Sequence, residues 1–179
     1  MRDMSEVLAG EDFESLWRYY RVSAFRLETQ PVYTVAGEQD TLRRYLTGHP
    51  QHPADVPYLA TWLDQIRQVT AEGRRVERVR IVDEPPTDYQ RWERWVGQWN
   101  TEAGERIRYL SRAVAESIGL PLAADWWLFD EERVAVMRFD ETGRPLGGTV
   151  VTDPAVVVQH LAWRDLAIKH SALDEGTAH

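Results

Sequence analysis

The stretch DWWLFDEERVAVMRFDETGRPLGGTVV, residues 125–151, decides the fold class. Three runs rich in Trp, Phe, Val and Met are separated by two short polar turns, DEE and DETGR. Such residues suit a pleated, half-buried surface, and a turn of this length returns the chain beside itself. The stretch predicts a three-stranded β-meander. Asp153 and Pro154 follow, an N-cap acceptor before a proline at the first helical position. Val157, His160, Leu161, Arg164 and Ile168 then line one side of a terminal helix, with Trp163 and Ala167 beside them.

Strand-like runs continue toward the N-terminus. ERIRYLSR (105–112) and RRVERVRIV (74–82) are strand-like, and SAFRLETQPVYT (23–34) alternates Phe25, Leu27 and Thr29 against Arg26 and Glu28. Pro31 in the last of these favours an edge strand or a bulge. Helical spacing marks Phe13, Leu16, Trp17 and Tyr20, then Leu42, Tyr45 and Leu46 before Gly48. A stronger helix carries Leu59, Trp62, Leu63, Ile66 and Val69, with Asp55 as its expected cap and Gly73 as its stop. Thr87 and Gln90 form a capping box ahead of a helix bearing Tyr89, Trp92, Trp95, Val96 and Trp99. A small helix near Ala113–Ser117 ends at Gly119. The expected fold is α+β: a mainly antiparallel sheet of five or six strands with helices packed on it, ending in the meander and a helix. One compact domain is expected over residues 11–170, with 1–10 and 171–179 flexible.

Composition narrows the class. Of 179 residues, 43% are hydrophobic and 28% charged, a globular balance with a real core. There is no cysteine, which excludes disulfides, thiolate metal sites and a cysteine nucleophile. The first residues lack a signal-peptide apolar segment, and no apolar run approaches membrane-spanning length, so a cytoplasmic protein without membrane association is expected. The net charge of −8 opposes direct binding to nucleic acid. Among 21 basic residues only Lys169 is a lysine, a bias that points to GC-rich codon usage and an actinomycete-like source. The nine-residue connector between the second and third helices is too long for a helix-turn-helix.

FRLETQPVY, RVRIVDEPPTDYQRWE, EAGERIRYLSR, WWLFDEERVAVMRFDETGR and DPAVVVQHLAWRDLAIKHS together resemble an actinobacterial family of uncharacterised proteins, from about Phe13 to His170. The resemblance implies a gene context near helix-turn-helix regulators and no established activity. At fold level the ending also resembles phospholipase-D-like sensor domains. Those enzymes use a His-x-Lys-x-x-x-x-Asp motif. Here the one lysine, Lys169, has Ala167 two positions before it, so the motif does not form and its phosphodiesterase chemistry is not implied.

Two clusters stand out as candidate sites. Arg78 and Arg80 share a strand face, as do Arg106 and Arg108. If the two strands are neighbours, four forked guanidiniums converge, to be balanced by carboxylates or by a bound anion. Glu93, one helical turn past Tyr89, is the natural internal partner, with Asp83, Glu84 and Asp88 as others. The candidate ligand site is therefore Arg78, Arg80, Tyr89, Glu93, Arg106, Arg108 and Asp130, for a small anionic or phosphate-containing ligand. Trp92, Trp95 and Trp99 form the second cluster, a candidate partner surface if they exceed what the core needs. His49, His52 and Asp55 are a weak metal pattern in a loop, and His160 is expected at the core edge. No nucleophile elbow, zinc-helix motif, phosphate loop or dinucleotide fingerprint is present, and no cofactor is implied. The expected function is a non-enzymatic interaction or sensor-type protein acting through a protein partner such as a helix-turn-helix regulator. The alternative is an enzyme or ligand-binding domain using the arginines. A deep arginine-lined pocket favours the second, and a flat exposed tryptophan patch favours the first.

Overall fold

The structure, a computed structural model, describes residues 5–173. In chain order its strands are β1 (Ser5–Leu8), β2 (Ser23–Glu28), β3 (Arg75–Val82), β4 (Arg106–Ser111), β5 (Trp126–Phe129), β6 (Arg133–Phe139), β7 (Pro145–Val151) and β8 (Ala172–Leu173). Its helices are α1 (Gly10–Tyr19), α2 (Gln39–Leu46), α3 (Pro57–Ala71), α4 (Asp88–Ala103), α5 (Arg112–Ser117) and α6 (Pro154–His170). One sheet runs in the order β1-β7-β6-β5-β2-β3-β4-β8.

The α+β class and the meander are as read from sequence: β5, β6 and β7 are consecutive antiparallel neighbours. Asp153 caps α6, its carboxylate accepting from the N–H groups of Ala155 and Val156. The mainly antiparallel sheet of five or six strands is corrected on two counts. The sheet has eight strands and is mixed, because β2 pairs β3, and β3 pairs β4, in parallel. Parallel neighbours need a long crossover, and α3 and α4 supply it between these strands. The count rises because Ser5–Leu8 and Ala172–Leu173, within tails expected to fray, pair with β7 and β4 as edge strands. The remainder of those tails, 1–4 and 174–179, lies outside the described residues.

Two local expectations also change. Strand β2 stops at Glu28 and lies between β5 and β3, so Pro31 falls beyond the ladder and not on an edge. Helix α3 starts at Pro57 behind Val56, while Asp55 closes a short 3-10 turn and caps nothing. The capping box of α4 forms as expected: Thr87 Oγ1 accepts from Gln90 N–H and the Gln90 side chain accepts from Thr87 N–H.

The sheet is covered on both faces. On one face Phe25, Leu27, Val79, Ile81, Leu110, Trp126, Leu128 and Val134 pack against α5 and α6 in an apolar layer. Val157 and Ala167 of α6 close it. His160 sits at its edge between Trp126 and Trp163, its Nδ1 2.8 Å from the Val156 carbonyl. The other face is covered by α1, α3 and α4, and carries Ala24, Val76, Trp127, Phe129 and Ala135 together with charged residues. Among the described residues no helix is long and apolar enough to cross a membrane.

Candidate functional site

The charged residues of the second face follow from strand periodicity. Side chains alternate across a sheet, so Phe25 and Leu27 facing α5 and α6 force Arg26 and Glu28 to the opposite side. In β3, Val79 and Ile81 do the same for Arg78 and Arg80. The parallel register sets Arg26 beside Arg78 and Glu28 beside Arg80, and β5 sets Trp127 beside Arg26. Helices cover this face, so the charges are buried: Glu28, Arg78 and Arg80 are 3%, 6% and 6% exposed. Helix α4 comes close enough to meet them because residue 97 is glycine. A Cβ there would lie 3.2 Å from both Arg80 Nη1 and the Tyr109 hydroxyl.

Burying a charge is costly unless it is paired and hydrogen-bonded, and here the pairing is dense. Arg78 donates to Glu28 and, through Nε, to Glu105. Asn100 of α4 donates to the other Glu105 oxygen at 2.8 Å. Arg80 Nε donates to Glu28 at 3.1 Å and lies 3.3 Å from the Glu93 carboxyl, while its Nη1 donates to the Glu93 carbonyl at 3.1 Å. Arg26 reaches Asp125 at 3.1 Å and Glu28 at 3.6 Å. Asp125, fully buried, also accepts from the Thr29 N–H and hydroxyl at 2.8 and 2.7 Å and from the Tyr33 hydroxyl at 2.5 Å.

The carboxylates of this network divide into two kinds. Burial pushes Glu28 up, but Arg78, Arg80 and Arg26 outweigh it and hold its carboxyl far below the ordinary range. Burial also pushes Glu93 up, and there it wins: despite Arg80, the group sits well above the ordinary carboxyl value, helped by the negative charge of Glu28. The two neighbouring carboxyls are thus driven apart, Glu28 toward its ionised form and Glu93 toward its protonated one. Glu38, in the 3-10 turn before α2, is likewise raised by burial, against a hydrogen bond from the Tyr89 hydroxyl at 2.7 Å.

Between this face and helices α1, α3 and α4 lies a cavity of about 320 Å³. Its wall includes Arg26, Glu28, Arg78, Arg80, Glu38 and Glu93. The aromatic part of the wall includes Trp17, Tyr33, Trp62, Tyr89, Trp92 and Trp127. Two guanidiniums already lie over its rings: Arg26 over Tyr33 and Trp127 at 5.6 and 5.2 Å, and Arg78 over Trp62 at 5.7 Å. Trp92 is buried, and its indole N–H has no acceptor among the described residues.

Of the residues expected at a ligand site, Arg78, Arg80, Tyr89 and Glu93 come together on this wall. Arg106 and Arg108 do not, and the four-arginine convergence is corrected. The register places Arg106 beside Glu77 and Arg108 beside Val79, so both point to the opposite face from Arg78 and Arg80. Arg108 pairs there with Glu77 at 3.0 Å, and Arg106 is exposed. Asp130 is also removed from the set. It follows β5 beside the start of β2, where its carboxylate accepts from the backbone N–H groups of Arg21, Val22 and Ser23. Those donors hold it below the ordinary carboxyl value against the opposing effect of burial. Asp83 and Asp88 pair with Arg112 and Arg91 and take no part.

The tryptophan cluster is used within the chain. Trp92 is buried against Tyr89, Trp95 packs on Tyr45 of α2, and Trp99 meets Trp95 and His52. His52 is thereby a packing residue whose Nδ1 accepts from Ala54 N–H. Among the described residues, no group of three or more His, Asp or Glu is placed to hold a metal ion.

Sequence reasoning missed Arg26, Glu28, Glu38, Tyr33, Glu105 and Asp125. A signal for the first two was present: the alternation of β2 matches that of β3, and a strand flanked by helices on both sides buries both of its faces.

A family model described as a domain of unknown function (DUF6879) matches residues 11–174. Among solved structures, the chain is similar to Nuc, a phospholipase D family member from Salmonella typhimurium. The TM-score is 0.58 at 12% identity, covering 94% of this chain and 97% of that one. It is also similar to NucT from Helicobacter pylori, with a TM-score of 0.54 at 8% identity, covering 94% and 98%. At these identities the likeness is one of fold. No curated protein matches the chain.

Proposed function

The chain belongs to the DUF6879 family, and from that premise we propose that it is a sensor-type ligand-binding domain on a phospholipase-D-like fold. The binding site in this reading is the cavity between the charged sheet face and α1, α3 and α4. The observation that carries it is the cavity itself: about 320 Å³, walled by aromatic rings and by buried, pre-paired charges. Ligand sites combine apolar walls with a few fixed polar groups in this way. The unsatisfied Trp92 N–H supports the reading, since a buried donor without an acceptor is uncommon and a ligand oxygen would satisfy it.

Phosphodiesterase chemistry of the His-x-Lys-x-x-x-x-Asp kind is left out of the proposal. Lys169 lies exposed in the last turn of α6, with Ala167 two positions before it. The reading through a protein partner finds less support, because Trp92, Trp95 and Trp99 are engaged by Tyr89, Tyr45 and His52.

A small-molecule screen by thermal shift tests the proposal. A ligand at a hundred times its Kd stabilises the folded state by about 2.7 kcal/mol. Val96 lies on the cavity wall, and Val96→Phe fills part of the space. Hits should vanish in that variant and persist in Val158→Phe, at an exposed position of α6. Hits that survive Val96→Phe unchanged, or a screen with none, would sink the cavity as the site.

A further inference from the structure

We propose that the cavity selects an organic cation, a protonated or quaternary amine carried on an apolar body. This rests on the ligand-binding reading above and names the class of ligand.

Charge bookkeeping in the wall gives the sign. Three guanidiniums, Arg26, Arg78 and Arg80, face the cavity, and each already has carboxylate partners at hydrogen-bonding or ion-pair distance. Against them stand five carboxyl groups in the same network: Glu28, Glu38, Glu93, Glu105 and Asp125. By group count two carboxyls are therefore in excess, and Glu38 and Glu93 are the two on the cavity wall least matched by arginine, both held toward their protonated form by burial while no further cation is present. An anion entering the cavity would meet this surplus and would have to break the existing arginine pairs. A cation would take the place of the proton on Glu93 as its counter-charge. The exposed Glu14 at the rim and the net charge of −8 act in the same direction over longer range.

The rings give the second argument, independent of the carboxyls. Trp17, Tyr33, Trp62, Tyr89 and Trp127 line the space, and aromatic faces attract cations through their quadrupole. The protein already uses these rings in that way for Arg26 and Arg78. A hollow of about 600 Å³ between α1 and α3 shares Glu14, Trp17, Tyr58 and Trp62 with the cavity and offers an approach from solvent. Without a further cation, the 3.3 Å approach of Arg80 to Glu93 and the hydrogen bond from Tyr89 to Glu38 are what hold the surplus carboxyls.

A matched series of probes tests the sign: phenethylammonium, phenethyl alcohol and phenylacetate, which keep one apolar body and change its charge. Calorimetric or NMR titration of the full chain should rank the cation first, by about tenfold or more over the alcohol. Glu93→Gln, which keeps a neutral hydrogen-bonding group in place, should abolish most of that preference. Glu38→Gln is the second variant should the first fail to fold. Preference for phenylacetate would overturn the inference while leaving the cavity as a ligand site. Equal affinity for the cation and the alcohol would overturn it too, as would binding by none of the three. Failure of the cavity reading itself shows separately, as binding indifferent to Val96→Phe.

Discussion

The central strands β2, β3 and β5 present two faces with opposite solutions to burial. Toward α5 and α6, Phe25, Leu27, Val79, Ile81, Trp126 and Leu128 interlock with one another and with Val157 and Ala167. Toward α1, α3 and α4, the alternate residues Glu28, Arg78 and Arg80 are buried too but charged, with Arg26 half-buried beside them. The apolar face can close because its side chains are satisfied by contact alone. The charged face must hold each guanidinium at a fixed distance from its carboxylates, and large rings span what remains, leaving a cavity. A buried ionic layer contributes little net stability compared with an apolar one of equal volume. Its presence here marks the face where the fold gives up packing for a polar cavity.

Substitutions on the two faces should separate these solutions. The largest effect is expected from Arg78→Ala, which leaves Glu105 without its guanidinium and takes one of three from Glu28: a loss of about 3–5 kcal/mol by denaturant unfolding. On the apolar face Leu27→Ala should cost about 2–5 kcal/mol, the transfer and cavity cost of a wholly buried leucine. Replacing Arg78 by methionine sharpens the contrast. If that variant is as stable as the wild type, the charged layer is not held together by its charges.

Asp130→Ala should cost about 1–3 kcal/mol, since three backbone N–H groups at the start of β2 lose their acceptor. It should leave ligand binding unchanged, because the group lies away from the cavity. An Asp130→Ala variant that folds normally yet loses all thermal-shift hits would return this residue to the site.

Glu93→Gln should give a smaller, pH-dependent effect. The folded-state carboxyl sits above the unfolded value of about 4.3, so its contribution is complete below that value and is lost as pH rises through the folded one. The groups facing it are Arg80 and Arg78 from β3 and Glu28 from β2. Glutamine stays neutral throughout, so the variant's Tm relative to wild type should rise as pH climbs above the unfolded value of about 4.3 toward the folded one. A difference that stays constant above that value would mean Glu93 is ionised in the folded protein. The smallest effect, within about 0.5 kcal/mol, is expected for Arg106→Gln, an exposed residue outside the network.

Much of this was legible in the sequence. The meander, the α4 capping box, the Asp153 cap and the two-faced alternation of β3 depend on interactions within a few residues, and each formed as read. Arg78, Arg80, Tyr89 and Glu93 were found because their alternation and helical spacing put them on predictable faces. The errors share one cause. Arg106 and Arg108 alternate just as Arg78 and Arg80 do, and only the β3–β4 register, Arg78 beside Ile107, turns them away. Asp130 looked like a spare carboxylate until the chain brought Arg21–Ser23 against it.

By itself, then, the sequence determined periods and ends: which residues alternate, where helices start and stop, and that Lys169 does not stand in a His-x-Lys-x-x-x-x-Asp pattern. Tertiary structure alone decided register, strand order and the second covering layer. These bring Glu28, Glu38, Glu105 and Asp125 to the arginines from separate parts of the chain, and they turn a line of alternating charges into a buried, acid-rich cavity. Local pattern carries no information about that balance, because the cost of burying a charge depends on what the rest of the chain places around it.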